Sequence, residues 1–184
     1  MNMATARTGA FRLTETVTLP NAAVPGSMFQ GTIDLGAYIS VSQGIACAIE
    51  SVDFIWQIGA DFAGNINGAT AVDTAWTVQL TDLNPGTALI RADDQSLIAS
   101  GSINIDDSNN VATETTDFYP DNMGPSKLSE AYLVVNDSLY LVASNGASAL
   151  TDVVNCTAVI KMKIVTLNKS DWIAIAIQST ASDN

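Results

Sequence analysis

The stretch Val72-Asp-Thr-Ala-Trp-Thr-Val-Gln-Leu-Thr-Asp82 decides the fold class. Val72, Trp76, Val78 and Leu80 share one parity, while Asp73, Thr77, Gln79 and Thr81 share the other. Successive side chains of a strand point to opposite faces of its sheet, so a period of two marks a strand with one buried face. The same alternation returns in Cys156, Ala158, Ile160, Met162 and Ile164, set against Thr157, Lys161 and Lys163. It returns again in Leu13, Val17 and Leu19 against Thr14, Thr16 and Thr18. Residues 45–58 are apolar on both parities, with Ile45, Ile49 and Ile55 against Val52, Phe54 and Trp56. Such a run fits a central strand covered on both faces, or one whose outer face a neighbouring subunit covers.

Turn chemistry separates these runs. Pro20-Asn21, Pro25-Gly26 and Asn84-Pro85-Gly86 set φ with proline and free it with glycine or asparagine. Residues 59–70, 106–110, 120–127 and 144–152 are further loops. Strands are expected near 11–19, 28–41, 45–58, 72–82, 87–91, 97–105, 111–117, 131–142 and 153–166. Segment 172–178 has two readings: Ser170 could cap a short helix, yet Ile173, Ile175 and Ile177 alternate as in a strand. Many short strands with Gly, Pro and Asn turns specify an all-β antiparallel sandwich, read as a single jelly roll. Residues 1–19 are expected to form an N-terminal arm and 20–184 the jelly-roll domain. Segments 28–41 through 172–178 take the letters B to I if 111–117 is an excursion. Strands C and H are then neighbours, which sets the strands of Cys47 and Cys156 side by side. A disulfide would need their Cα atoms within about 7 Å.

The chain has 184 residues, 7 Lys+Arg, 19 Asp+Glu and no His, for a net charge of −12. Apolar residues make up 47% and charged ones only 14%, against roughly 25% charged in an ordinary soluble domain. Disorder needs the reverse balance. The basic residues are scattered from Arg7 to Lys169, so no direct nucleic-acid binding is expected. Residues 1–10 carry no apolar run behind a basic region, so no signal peptide is expected and synthesis is placed in the cytoplasm. No apolar window is long enough to span a membrane. The sequons at Asn136, Asn155 and Asn168 are read as coincidence in a chain rich in Ser, Thr and Asn.

Catalysis is not expected, and no catalytic, cofactor-binding or metal residue is assigned. A nucleophile needs a base within reach, and histidine, the usual one, is missing. Cys47 and Cys156 fall in strands expected to be buried, where thiols are inert. Asp93-Asp94 and Asp106-Asp107 are adjacent pairs, which cannot flank a sugar from two sides. The run Asp106-Asp-Ser-Asn-Asn110, with Glu114 beyond it, is oxygen-rich, so calcium near Asp106 and Asp107 is the one ion considered. It lacks the EF-hand spacing and central glycine, and Asp and Asn favour turns without an ion. Trp56, Trp76, Trp172, Tyr38, Tyr132 and Tyr140 read as core or interface. Phe118-Tyr119-Pro120, in an expected loop, is the best candidate for exposed aromatic contact, with another subunit before a ligand.

Low charge, high apolar content and no catalytic set describe a sandwich with more apolar surface than a solitary copy hides. In size, in acidity and in Gly31-Thr-Ile-Asp-Leu-Gly-Ala-Tyr-Ile-Ser-Val41, residues 49–56 and Leu133-Val-Val-Asn-Asp-Ser-Leu-Tyr-Leu-Val142, the chain resembles a viral coat family. That family is the single-jelly-roll major capsid proteins of tailless icosahedral viruses with an internal membrane, of haloarchaeal and thermophilic-bacterial type. The resemblance implies a small major capsid protein, located in the virion shell. Its partners would be copies of itself and a second, related capsid protein in capsomers of six-fold outline, with a lipid vesicle beneath. It also implies the plain subunit, since 184 residues leave no room for a turret domain. The arm would reach onto a neighbour. The alternative is a carbohydrate-binding or adhesive jelly-roll module of a fibre or cell surface, which would need an exposed aromatic and an Asp/Asn patch at loop tips.

Overall fold

A computed structural model describes residues 4–116 and 131–180. In chain order the strands are β1 (Thr5–Ala6), β2 (Phe11–Leu19), β3 (Met28–Asp34), β4 (Ile45–Ile58) and β5 (Thr74–Thr81). There follow β6 (Leu97–Asp106), β7 (Val111–Thr116), β8 (Tyr132–Val134), β9 (Ser138–Ser144) and β10 (Val154–Thr166), then helix α1 (Lys169–Thr180). One sheet runs β2-β10-β4-β8, with β1 on the same edge of β10 as β2, and the other runs β3-β9-β5-β6-β7. All pairings are antiparallel. Lettering β2, β3, β4, β5, β6, β8, β9 and β10 from B to I turns these into B-I-D-G and C-H-E-F. That is the two-sheet order of a jelly roll, with β7 added at one edge.

The fold class is the one expected, but the letters shift by one strand. Strand 11–19, expected within the arm, is strand B of the sandwich, with Val17 and Leu19 in its own core. Only residues 4–10 of the described chain remain as an arm, with Thr5 and Ala6 paired to Thr166 and Val165. The strands of Cys47 and Cys156 are neighbours, now as D and I. Cys47 stands opposite Ile164 and Cys156 opposite Trp56, however. Eight residues along a strand put them roughly 26 Å apart, and both are free, buried thiols.

Three other segments depart from their expected bounds. Strand 28–41 stops at Asp34, whose Oδ1 accepts the N–H of Gly36 (2.7 Å) and turns the chain. No strand forms at 87–91. Instead the Gln79 side chain donates to Ile90 O (2.9 Å) and accepts from Ile90 N (2.8 Å), taking both backbone groups that a ladder would have used. Segment 131–142 breaks at residues 135–137, so that β8 joins one sheet and β9 the other.

The sandwich interior holds the even-numbered side chains of β5: Trp76, Val78 and Leu80 are fully buried. Trp76 meets Trp56 across the sheets at 5.7 Å between ring centroids. A Cβ at Gly101 would lie 3.0 Å from the Phe54 ring, so glycine there lets the sheets approach. The mixed parity of residues 45–58 has a local cause. Ser51 pairs with Lys161 and Ile49 with Met162, leaving Glu50 as an extra residue. Cys47 and Ile49 face the interior before the bulge, and Val52, Phe54, Trp56 and Ile58 after it.

Helix α1 settles the ambiguity at 172–178. Asn168, not Ser170, is its cap: Asn168 Oδ1 accepts the N–H of Asp171 (2.8 Å), and its amide donates to the Asp171 carboxylate (2.7 Å). Trp172, Ile175 and Ala176 pack on Ala46, Ala48, Val165 and Leu167 of the outer face of the B-I-D-G sheet. The helix therefore covers the outer side of the first half of β4, within the same chain.

Candidate functional site

Four connecting loops meet at one end of the sandwich: residues 20–27, 59–73, 107–110 and 145–153. Backbone bonds tie them, among them Ala22 N to Leu150 O (3.0 Å), Gly59 N to Val153 O (2.9 Å) and Thr151 N to Ala69 O (3.0 Å). Asn145 is the hub. It is fully buried, and its amide nitrogen donates to the carbonyls of Ala23 (3.1 Å), Val24 (2.8 Å) and Ser148 (3.2 Å). Asn67 donates to Asn110 Oδ1 (2.8 Å), and Asp73 Oδ1 accepts the N–H of Asp107 (2.9 Å).

This end concentrates strain, apolar exposure and negative charge. Among the described residues the non-glycine positions with positive φ are Ala22 (63°), Phe62 (61°) and Asn110 (56°), all in these loops. Left-handed backbone costs a bulky residue about 1–3 kcal/mol, and it clusters where function holds it. Phe62 is also 58% exposed, beside the exposed Val24, Val72 and Val111. Asp61, Asp73, Asp106, Asp107 and Asp152 lie here with no Lys or Arg in the same loops.

The carboxylate pairs singled out in the sequence are divided among structural tasks. Asp106 accepts the backbone N–H (2.9 Å) and side-chain amide (2.7 Å) of Asn109, bonds that hold its carboxyl below the ordinary range. Asp93 pairs with Arg91 (2.9 Å), whereas Asp94 Oδ1 accepts the N–H (2.9 Å) and hydroxyl (2.7 Å) of Ser96. Among the described residues no three His, Cys, Asp or Glu side chains gather as metal ligands. Phe118, Tyr119 and Pro120 lie outside the described residues. No helix of the described residues is long and apolar enough to cross a membrane. Asn136, Asn155 and Asn168 all spend their side chains on internal hydrogen bonds.

Two buried acids escaped the sequence reading. Asp82 is 1% exposed, and its carboxyl oxygens make no well-formed hydrogen bond among the described residues, with only weak support from its own N–H and the Asn136 amide. Burial, with a contribution from the charge of Asp94, pushes its pKa up to about 7. The signal was present, since Asp82 continues the parity of Trp76, Val78 and Leu80. Glu50, 3% exposed, is the bulge residue of β4 and pairs with Lys161 (3.3 Å) and Lys163. Burial raises its pKa, but the hydrogen bonds and charges of the two lysines outweigh that and hold it below the ordinary value. The second apolar exposure is on α1, where Ile173 and Ile177 are 53% and 63% exposed, one turn apart on the side away from the sheet.

No family model and no curated protein matches the chain. Two solved structures of turnip yellow mosaic virus are similar to it, at 11% and 10% identity with TM-scores of 0.31 and 0.32. Each covers 89% of this chain, which spans 99% and 86% of theirs. Likeness at that level assigns neither family nor activity.

Proposed function

We propose that this chain is a structural coat protein, a single-jelly-roll subunit that assembles with copies of itself into the capsomers of an icosahedral virion. The jelly roll hosts coat proteins and sugar-binding modules alike, so the surface must choose between them. The observation that carries the coat reading is where the apolar surface lies. Of the eight large apolar side chains exposed among the described residues, four stand at the four-loop end and two on the outward side of α1. Buried contact between subunits removes such surface from water at about 25 cal/mol per Å². A second, related coat protein and an underlying membrane are the finer terms of the same proposal, as is its place in the virion shell.

The test is light scattering and negative-stain imaging of the purified protein, alone and co-expressed with a candidate partner coat protein. Capsomers or shells are the expected outcome. A protein that stays strictly monomeric at high concentration, in low and in high salt alike, would remove the reading.

One observation favours a second reading, a glycan-binding or adhesive module. Phe62 is an exposed aromatic at a loop tip, held in left-handed backbone between Asp61 and Asn65. Glycan-array binding by a monomer, abolished in Phe62→Ala, would select it over the coat reading.

A further inference from the structure

Basic residues that are scattered in the sequence are gathered by the fold. Arg12 of β2 stands directly opposite Lys161 of β10, and Lys163 follows two residues on, all on the outer side of the B-I-D-G sheet. Arg7 lies at the adjoining edge, its N–H bonded to Ile164 O (2.8 Å). Three of the chain's seven basic residues thus share this face, with Arg7 at its edge on the side of Ile164. Lys161 and Lys163 hold Glu50, whereas Arg7 and Arg12 are exposed and form no ion pair among the described residues. Like charges directly across a strand pair repel, so the Arg12–Lys161 row is a place for an anion. From that row toward the four-loop end, the uncovered face is almost uncharged. It carries Thr16 bonded to Thr157 (2.8 Å), Thr18 bonded to Asn155 (2.8 Å), and the apolar Val159 and Ile55, with Asp53 its one acid.

We infer that this face docks the acidic four-loop end of a second copy of the chain, in a head-to-tail contact. The inference rests on the coat reading and names the surfaces that would carry it. In a chain of net charge −12, copies repel wherever acid meets acid. The face with Arg12, Lys161 and Lys163 is where an approaching Asp61, Asp73 or Asp107 is attracted instead. The apolar tips Val24, Phe62 and Val72 then have Ile55 and Val159 to rest on. A contact between two different patches repeats from copy to copy and closes into rings or extends into arrays, as a shell requires. Nucleic acid or an anionic membrane is the lesser fit, because three cations around a glutamate cannot offset the remaining acids over a run of phosphates.

The experiment exchanges the charges. Arg12→Glu reverses the one cation of the face that holds no ion-pair partner among the described residues, with Glu50, Lys161 and Lys163 left in place. Asp61→Lys with Asp107→Lys reverses the loop end. Circular dichroism and thermal melting establish that both are folded. Sedimentation velocity then follows each alone and in equimolar mixture, between about 0.01 M and about 1 M salt, where the screening length falls from roughly 30 Å to roughly 3 Å. Each variant alone is expected to associate about tenfold or more weakly than the unaltered chain at low salt, and the mixture to recover the loss. Unchanged association of either variant, or a mixture no better than its parts, overturns the docking and leaves the coat reading standing. Failure of the unaltered chain to associate at any salt removes both. Arg12-dependent retention on a DNA oligonucleotide or on anionic phospholipid vesicles, without recovery in the mixture, assigns the face to a polyanion instead.

Discussion

At one end of the sandwich Asn145 donates its amide to three backbone carbonyls of two loops; at the other, Asp82 buries a carboxyl with no well-formed hydrogen bond among the described residues. Each is a polar side chain removed from water beside a sheet, yet the consequences are opposite. An amide keeps its donors at every ordinary pH, so the Asn145 tie does not titrate. A buried carboxyl so weakly supported is favoured only while protonated, so the end built from residues 35–44, 82–96 and 135–137 depends on pH. Its other ties include Leu35 N to Asp137 O (2.7 Å), Asn136 to Asp82 O (3.0 Å) and Gln79 to Ile90. The strained and apolar residues are presented at the end that is held firmly. Rigid support of that kind is what a contact surface needs, because loops that must be ordered on binding give up affinity.

The contrast can be broken most severely at Gly146. It has positive φ, and a Cβ there would drive into the carbonyl oxygen of Ala75. Gly146→Ala is expected to cost about 4 kcal/mol or more, read as loss of the urea unfolding transition. Next comes the pH dependence of the other end. With its pKa near 7 in the fold and an ordinary value near 4 when unfolded, Asp82 keeps a proton in the folded chain that the unfolded chain has lost. Stability therefore falls as pH rises from about 4 to about 7, by about 2–4 kcal/mol. Asp82→Asn is expected to flatten that slope, matching the unaltered chain near pH 4 and exceeding it above about pH 7 in denaturant melts. A slope that survives the substitution would remove the distinction between the ends. Asn145→Ala removes the amide shared by three carbonyls, of which Ala23 O and Val24 O keep the N–H of Leu150 and Ser27, and is expected to lose about 1–2 kcal/mol at every pH. The smallest effect has the opposite sign. Phe62→Gly relieves left-handed strain and is expected to gain about 1 kcal/mol in thermal melts, while weakening self-association.

Much of this was legible in the alternation of side chains. The parity of Phe11–Leu19, Thr74–Thr81 and Val154–Thr166 named both the strands and their buried faces, because a strand's period is local and one face of each packs on the other sheet. Bounds were lost where a side chain stood in for backbone. Gln79 answers Ile90 and so removes a strand at 87–91, a substitution between residues eleven positions apart that carries no local pattern. The double parity of Ile45–Ile58 announced something unusual but not its cause, since a bulge shows only when the partner strand is laid beside it. Helix α1 was equivocal because Ile173, Ile175 and Ile177 satisfy a period of two by coincidence. The apolar shelf at Ala46, Ala48 and Val165 decided it.

By itself the sequence determined the class: alternation with glycine, proline and asparagine turns commits the chain to antiparallel sheets, and composition to a surface poor in charge. Tertiary structure decided where each strand goes in the two sheets, and with it which distant residues share a surface. The three cations at Arg12, Lys161 and Lys163 are the plainest case. Strand periodicity depends on neighbours two positions away, whereas a patch depends on register between strands some 150 residues apart, which only the folded chain brings together.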